Sequence, residues 1–291
     1  MAEKKESGIL YLCPTPIGNL EDITLRVLRV LKEVDYIAAE DTRVTKKLLN
    51  HYDIKTPLTS YREQNRAEKG EKIVRDLLEG KSVALVSDAG MPGISDPGED
   101  LVKKAVKAGI TVVPLPGPSA VICAVAGSGL DTRKFVFEGF LPQASTKRRR
   151  RLEELKDEER TIVLYEAPHR LLKCLLDIRE ILGNRRITVA REMTKVHEEF
   201  FRGSVEEAIE RFQSNPPKGE IVLVLEGAEK ENAGTTESVL ANEELKVMVL
   251  EQVKAYINAG IERKLALKKV AKEFGISKKD VYRILLESRE S

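Results

Sequence analysis

Three loops in this 291-residue sequence carry the residue types that hold a small organic molecule through backbone groups. The longest is Ser87-Asp88-Ala89-Gly90-Met91-Pro92-Gly93-Ile94-Ser95-Asp96-Pro97-Gly98, directly after the apolar run Val83-Ala84-Leu85-Val86. Its glycines let the backbone approach a ligand closely, and its prolines fix the loop before any ligand arrives. Asp88 falls at the carboxyl end of the expected strand, where open parallel sheets bind small molecules. The structural alternative is a tight connection whose aspartate caps the next helix. The other two loops, Cys13-Pro14-Thr15-Pro16-Ile17-Gly18-Asn19-Leu20 and Pro116-Gly117-Pro118-Ser119-Ala120, also follow apolar runs. Such an edge suits main-chain recognition of an organic ligand. The Gly-x-x-x-x-Gly-Lys-Ser/Thr loop is missing, and neither Gly18 nor the Gly127/Gly129 pair extends to Gly-x-Gly-x-x-Gly. ATP hydrolysis and a common dinucleotide fold are therefore disfavoured.

The elements that must position these loops alternate. Strand-like runs at Ile9 to Cys13, Tyr36 to Ala39, Val83 to Val86 and Thr111 to Val113 are separated by helical spacing at about Thr24 to Val34, Thr45 to Asn50, Ala67 to Leu78 and Glu99 to Val106. This rhythm predicts a mostly parallel sheet covered on both faces. Pro114 to Pro118 reads as a stiff hinge, with Ser119 the N-cap of a helix running to about Ala126. A second block has strands at Phe135 to Gly139, Thr161 to Tyr165, Ile187 to Ala190 and Glu220 to Leu225, with helices at about Arg170 to Leu182 and Ser204 to Phe212. The expected architecture is α/β, with lobes at 1–116 and 117–228, a linker at 229–240 and a small helical domain of three short helices at 241–291. Leu267 to Tyr282 has the helix, glycine turn, serine cap and helix of a helix-turn-helix, a pattern that a small packing domain shares.

With 42% apolar and 33% charged residues, the chain reads as a globular protein. The net charge of +2 does not by itself argue for nucleic acid. Its distribution is more informative: Lys147-Arg148-Arg149-Arg150-Arg151 is an unbroken basic run. As solvated charge it would be ordinary, yet cations crowded into a helix's first turn oppose its dipole, so phosphate contact is the competing reading. The charged N-terminus and the lack of a long apolar run point to a cytoplasmic protein without a membrane span. Cys13, Cys123 and Cys174 read as reduced core thiols. The three histidines share no metal-ligand spacing, so no metal is expected.

Several motifs together carry a resemblance: Pro14 to Thr24, Glu40-Asp41-Thr42-Arg43, Ser87 to Gly98, Pro116 to Ala120, Tyr165 to Arg170 and Ala190 to Lys195. From about Ile9 to Gly227 the chain resembles the tetrapyrrole-methylase superfamily, and within it the ribosomal RNA small-subunit methyltransferase I branch. The resemblance implies two α/β domains with S-adenosyl-L-methionine in the cleft between them, a homodimer, and 2′-O-methylation of a cytidine ribose in small-subunit (16S) rRNA. The substrate would be that rRNA or the assembled small subunit. Pro14-Thr15-Pro16 replaces the glycine-richer first loop of other superfamily members, which favours the RNA branch. A tetrapyrrole-type small-molecule methyltransferase and a ligand-sensing helix-turn-helix regulator remain as alternatives.

The resemblance places cofactor contacts at Asp88, Gly90, Ile94, Ser119, Ala120, Tyr165, Glu166, Ala190 and Gly219. A ribose hydroxyl is a poor nucleophile at neutral pH, so a base or a cation near it should help. Glu166, His169, Arg43, Arg191 and Glu192 are the candidates in motif loops. Each has a plain structural role to weigh against this: Glu166 as a cap at the Pro168 helix, His169 as a surface group, Arg191 with Glu192 as an ion pair. Lys147, Arg148, Arg149, Arg150 and Arg151 are the candidate RNA contacts.

Overall fold

The computed structural model describes residues 7–228, 243–274, 276 and 278–290. The chain divides into two units, Met1–Ala228 and Glu229–Ser291. The first unit opens with β1 (Ile9–Leu12), α1 (Leu25–Glu33), β2 (Tyr36–Ala39), α2 (Thr42–His51), β3 (Leu58–Ser60), α3 (Arg66–Leu78), β4 (Val83–Val86), α4 (Gly98–Lys107) and β5 (Thr111–Pro114). It continues with α5 (Ala120–Ser128), β6 (Phe135–Phe140), α6 (Ser145–Glu154), β7 (Thr161–Glu166), α7 (Pro168–Leu182), β8 (Arg186–Arg191), β9 (Glu199–Ser204), α8 (Val205–Ser214) and β10 (Ile221–Leu225).

The first sheet has the order β3-β2-β4-β1-β5 and is parallel throughout. Its central strand shows why a continuous apolar run is needed. Val83 and Leu85 pack on one face with Leu77 and Leu101, while Ala84 and Val86 pack on the other with Val30 and Leu48. Both faces are covered by helices, as a parallel sheet requires. Side-chain caps start two of those helices: Thr24 Oγ1 accepts from Val27 N at 3.2 Å, and Asp41 Oδ1 accepts from Arg43 N at 2.8 Å.

The second sheet, β6-β7-β10-β8-β9, is mixed: β6 and β7 are parallel and every other pair is antiparallel. The parallel rhythm of the first block extends through β6, β7 and β8, which run in one direction, and is broken by β10, inserted antiparallel between β7 and β8, and by β9, antiparallel at the edge. Strands β3 and β9 are not expected from the sequence. Leu58–Ser60 is only three residues long, and Glu199–Ser204 alternates weakly at a sheet edge. Helices α7 and α8 cover one face through Leu171, Leu175 and Phe212, while α5 covers the other through Val121, Ala124 and Val125. Ile17, from the loop after β1, joins that second cluster and so ties the two sheets together.

Two expectations need correction. Cys13 and Cys174 are buried, but Cys123 is exposed, since it lies on the outward face of α5. The basic run does not fill a first helical turn: α6 begins at Ser145, so only Lys147 falls within it. The Glu229–Ser291 unit contains α9 (Glu243–Asn258), α10 (Arg263–Glu273) and α11 (Lys278–Glu290), packed on Val249, Val253, Val270 and Ile284. The expected linker 229–240, and the Gly275 and Ser277 of the helix-turn-helix pattern, lie outside the described residues. Among the described residues no helix is long and apolar enough to cross a membrane.

Candidate active site

A cavity of about 450 Å³ lies at the carboxyl ends of the first sheet's strands and is closed on its other side by the second sheet. The loop after β4 forms its floor, and internal hydrogen bonds hold that loop in place. Thr15 Oγ1 donates to Ser87 O at 3.1 Å, and Ser87 Oγ donates to Gly90 O at 3.3 Å. Asp96 accepts from Gly93 N at 2.9 Å and Gly98 N at 2.7 Å, so it is Asp96 and not Asp88 that organises the start of α4. Asp88 instead reaches sideways to the neighbouring strand end, where its Oδ1 accepts from Asp41 N at 2.9 Å.

Eight of the nine expected cofactor residues line this cavity: Asp88, Gly90 and Ile94 in the floor, Ser119 and Ala120 at α5, and Tyr165, Glu166 and Gly219 on the second sheet. Ala190 does not. It is fully buried beneath the wall, packed with Met193 and Val222. Ser119 occupies the N-cap position of α5 as expected, yet its side chain makes no capping hydrogen bond. The N–H groups of that first turn are therefore not capped by Ser119, where the cavity wall begins. Gly219 has a steric reason to lack a side chain, since a Cβ there would lie 1.8 Å from Glu192 Oε1.

The proton-transfer candidates are dispersed. Glu166 lines the cavity, but its carboxylate is buried, accepts from Ala167 N at 2.8 Å and pairs with Arg170 at 3.2 Å. It ties the end of β7 to the first turn of α7, as its structural alternative requires. His169 is exposed on α7 and outside the cavity wall. Arg43 pairs with Asp41 at 2.6 Å and is otherwise exposed; their hydrogen bond pulls the Asp41 carboxyl well below the usual range. Arg191 pairs with Glu199 rather than with Glu192, whose partner is Lys195 at 2.9 Å. None of these three basic groups reaches the cavity.

The basic run also separates. Arg148 is buried and its Nε donates to Asp177 at 2.7 Å; Arg149 joins the same carboxylate at 3.0 Å and also Glu180. Arg151 binds Glu138 and Glu154. Lys147 is exposed, and Arg150 keeps 84% of its side chain in solvent with Glu154 at 3.5 Å. Three of the five cations thus hold α6 to its neighbours, which removes Arg148 from any surface contact.

Sequence reasoning missed Glu40 and Asp96 as members of the wall. The signal was present for Glu40: it follows β2 as Asp88 follows two residues after β4, and the two strands are paired neighbours, with Ala39 opposite Val86. Burial and the Asp88 carboxylate raise the Glu40 pKa, and burial raises that of Asp96 as well. Glu40, Asp88, Asp96, Glu166 and Glu220 all line the cavity, whereas among the described residues no Lys, Arg or His does. Ile17, Ile94, Met193 and Val222 supply apolar wall beside these carboxylates. The site is largely apolar, with a group of carboxylates on its wall.

Two α/β layers enclosing such a cleft at the strand ends form a small-molecule-binding architecture, and comparison with known proteins gives its family. Residues 10–209 match the tetrapyrrole (corrin/porphyrin) methylases. The chain is 48% identical over 285 residues to the ribosomal RNA small subunit methyltransferase I of Halalkalibacterium halodurans, covering 97% of this chain and 96% of that one. It is 56% identical over 222 residues to the protein of the same name from Thermotoga maritima, covering 76% of this chain and all of that one, 100%. A solved cobalt precorrin-4 methyltransferase shares the fold at a TM-score of 0.55 and 17% identity, over 75% of this chain and 94% of that one. A uroporphyrin-III C-methyltransferase from Thermus thermophilus shares it at 0.54 and 16%, over 75% of this chain and 97% of that one. The chain belongs to the tetrapyrrole methylase family and, within it, to the ribosomal RNA small subunit methyltransferase I group.

Proposed function

We propose that this protein transfers a methyl group from S-adenosylmethionine to the 2′-hydroxyl of a cytidine ribose in small-subunit (16S) ribosomal RNA. The observation that carries the cofactor assignment is the group Glu40, Asp88 and Asp96 on a cavity wall that has, among the described residues, no cationic side chain. Burial and the nearby Asp88 charge raise the pKa of Glu40 and Asp96, and a bound cation stabilises such carboxyls in their ionised form. S-adenosylmethionine is such a ligand, and when bound it supplies an electrophilic methyl group on a positively charged sulfur. The RNA assignment is supported by relatives named for small-subunit rRNA that match nearly the whole chain. The uroporphyrin-III and cobalt precorrin-4 methyltransferases, at 16–17% identity, share the fold alone.

In this reading Asp88 and Glu40 face the cationic part of the cofactor, and Ile17, Met193 and Val222 cover its apolar part. The first turn of α5 at Ser119 and Ala120 offers N–H donors to its carboxylate. Positioning then supplies much of the rate: a loop already fixed by its own hydrogen bonds holds the reacting groups without ordering cost during the reaction. The exposed Lys147 and Arg150 are the members of the basic run left to meet phosphate, while Arg148, Arg149 and Arg151 set the helix that carries them. A cytoplasmic homodimer completes the proposal.

The test is transfer of labelled methyl from S-adenosylmethionine to purified small ribosomal subunits, to free small-subunit rRNA and to a uroporphyrinogen in parallel. Label in either RNA-containing substrate and none in the tetrapyrrole is expected. Label in the tetrapyrrole alone would replace this reading with small-molecule methylation.

A further inference from the structure

We propose that Phe140 is a stacking platform for the base of the methylated nucleotide, an inference that rests on the RNA reading above. Phe140 is 54% exposed and lines the cavity. Of the seven phenylalanines it alone is exposed; the others are buried or half-buried. Leaving a large apolar ring in water at the mouth of a cavity calls for a cause.

The backbone supplies one. Strand β6 pairs with β7 as Phe137 to Val163, then shifts so that Gly139 meets Leu164 and Phe140 meets Tyr165. Glu138 is the extra residue of a β-bulge, and bulges next to active sites re-aim side chains. In an unbulged register Glu138 would pair with Leu164 and Phe140 would lie opposite Glu166, on the face that Leu164 gives to the α7–α8 core. With it, Phe140 shares the cavity face with Tyr165. An ion pair holds the bulge in place, and a glycine permits it. Glu138 accepts from Arg151 Nε at 2.8 Å and Nη2 at 2.6 Å, and Gly139 adopts φ +65° where a Cβ would come within 3.2 Å of Ser95 Oγ. The last residue of the basic run thus sets the ring, through Glu138.

The ring itself is braced from behind. Tyr165 stands 5.0 Å from Phe137, edge to face, and 5.3 Å from Phe140 at a tilt of 51°. Three rings therefore grade from half-buried to exposed, ending on Phe140. Ile94, 47% exposed, adds apolar surface to the same cavity from the opposite loop. Sequence-specific RNA recognition splays bases out and stacks them on aromatic side chains. Reaching a ribose hydroxyl from a cleft also demands that the nucleotide leave its stack, and a ring at the mouth offers a replacement surface. The adenine of the cofactor is the other heteroaromatic ring that could use Phe140. The ring's position at the solvent-exposed mouth favours the incoming nucleotide.

The test compares Phe140→Leu, Phe140→Ala and Phe140→Trp with the unaltered protein. One arm measures KM for small ribosomal subunits and, separately, calorimetric affinity for S-adenosylmethionine. The other measures quenching of a pyrrolocytosine placed in a single-stranded RNA, a signal of stacking that needs no catalysis. Leucine keeps the apolar volume without the π face. It is expected to raise KM for subunits roughly ten- to a hundredfold, as loss of one base–aromatic stack does, and to abolish the quench. Tryptophan should preserve both, and cofactor affinity should not move. An unchanged KM and quench in Phe140→Leu would overturn the platform. Weakened cofactor binding with an intact quench would assign the ring to adenine and overturn it equally. If the unaltered protein quenches the probe but methylates no RNA, the RNA-methylation reading fails while the stacking surface stands.

Discussion

Thr15 and Gly90 form an isolated antiparallel bridge: Thr15 N donates to Gly90 O at 3.0 Å, and Gly90 N donates to Thr15 O at 2.9 Å. The bridge joins the loops that leave β1 and β4, adjacent parallel strands, just where both turn over the cavity. Gly90 makes it at φ +80°. A β-branched residue is a genuine outlier there. Gly90→Val should therefore disturb both loops at once and weaken S-adenosylmethionine binding by at least about tenfold, at a stability cost of about 1–3 kcal/mol. Calorimetry on the folded variant checks this, and unchanged affinity would remove the loop from the site.

The divided basic run gives opposite expectations for neighbouring arginines. Arg148→Gln leaves the Asp177 carboxylate with Arg149 as its remaining cation and should destabilise the protein by about 1–3 kcal/mol. Arg150→Gln should change stability by no more than about 0.5 kcal/mol. Denaturant unfolding of the two variants separates them. If Lys147 and Arg150 meet phosphate, replacing both with Gln should lower the slope of log affinity for RNA against log salt by roughly 0.7 to 0.9 per lost contact, with cofactor affinity constant.

Glu40 gives a pH-dependent expectation. Its pKa in the folded protein is raised above the ordinary 4.5, by burial first and the Asp88 charge second. A raised carboxyl binds more protons folded than unfolded, so its contribution to stability is present below pH 4.5 and is lost as pH rises through the folded pKa. Glu40→Gln should flatten that fall, gaining stability relative to the parent toward neutral pH. A bound cation favours the ionised form, so cofactor affinity of the parent should rise over the same window and that of the variant should not. Melting curves and calorimetry from pH 4 to 8 read both, and parallel pH profiles in parent and variant would remove Glu40 from the cationic end of the site.

Thiol reactivity reports the packing of α5. Burial pushes the Cys13 thiol up to about 12 and holds that of Cys174 well above its usual value, so neither forms thiolate at neutral pH. Cys123 is exposed. The native protein should titrate one fast thiol and the denatured protein three, and Cys123→Ser should abolish the fast phase. Two or more fast thiols would contradict the buried positions of β1 and α7.

What the sequence made legible were features with strong local signals. The continuous apolar run at Val83–Val86, the helix beginning at about Thr24 and the loop after β4 each depend on neighbours in the chain, and each lies where its residues suggest. What escaped it was set by distant partners. Nothing near Arg148 marks it for burial, because Asp177 lies 29 residues away on α7. Glu40 joins the site only through the pairing of β2 with β4. Phe140 faces the cavity because of a single inserted residue, and a period-two reading of β6 puts it on the wrong side of the sheet.

The most direct measurement maps the methyl group itself. Small ribosomal subunits are incubated with the protein and labelled S-adenosylmethionine, and the rRNA is digested with alkali, which needs a 2′-hydroxyl to cut the chain. Methylation at 2′-O of a cytidine predicts all label in one alkali-stable dinucleotide, with 2′-O-methylcytidine as its 5′ nucleoside on mass analysis. Label released in mononucleotides would place the methyl on a base, and label absent from RNA would contradict the account altogether.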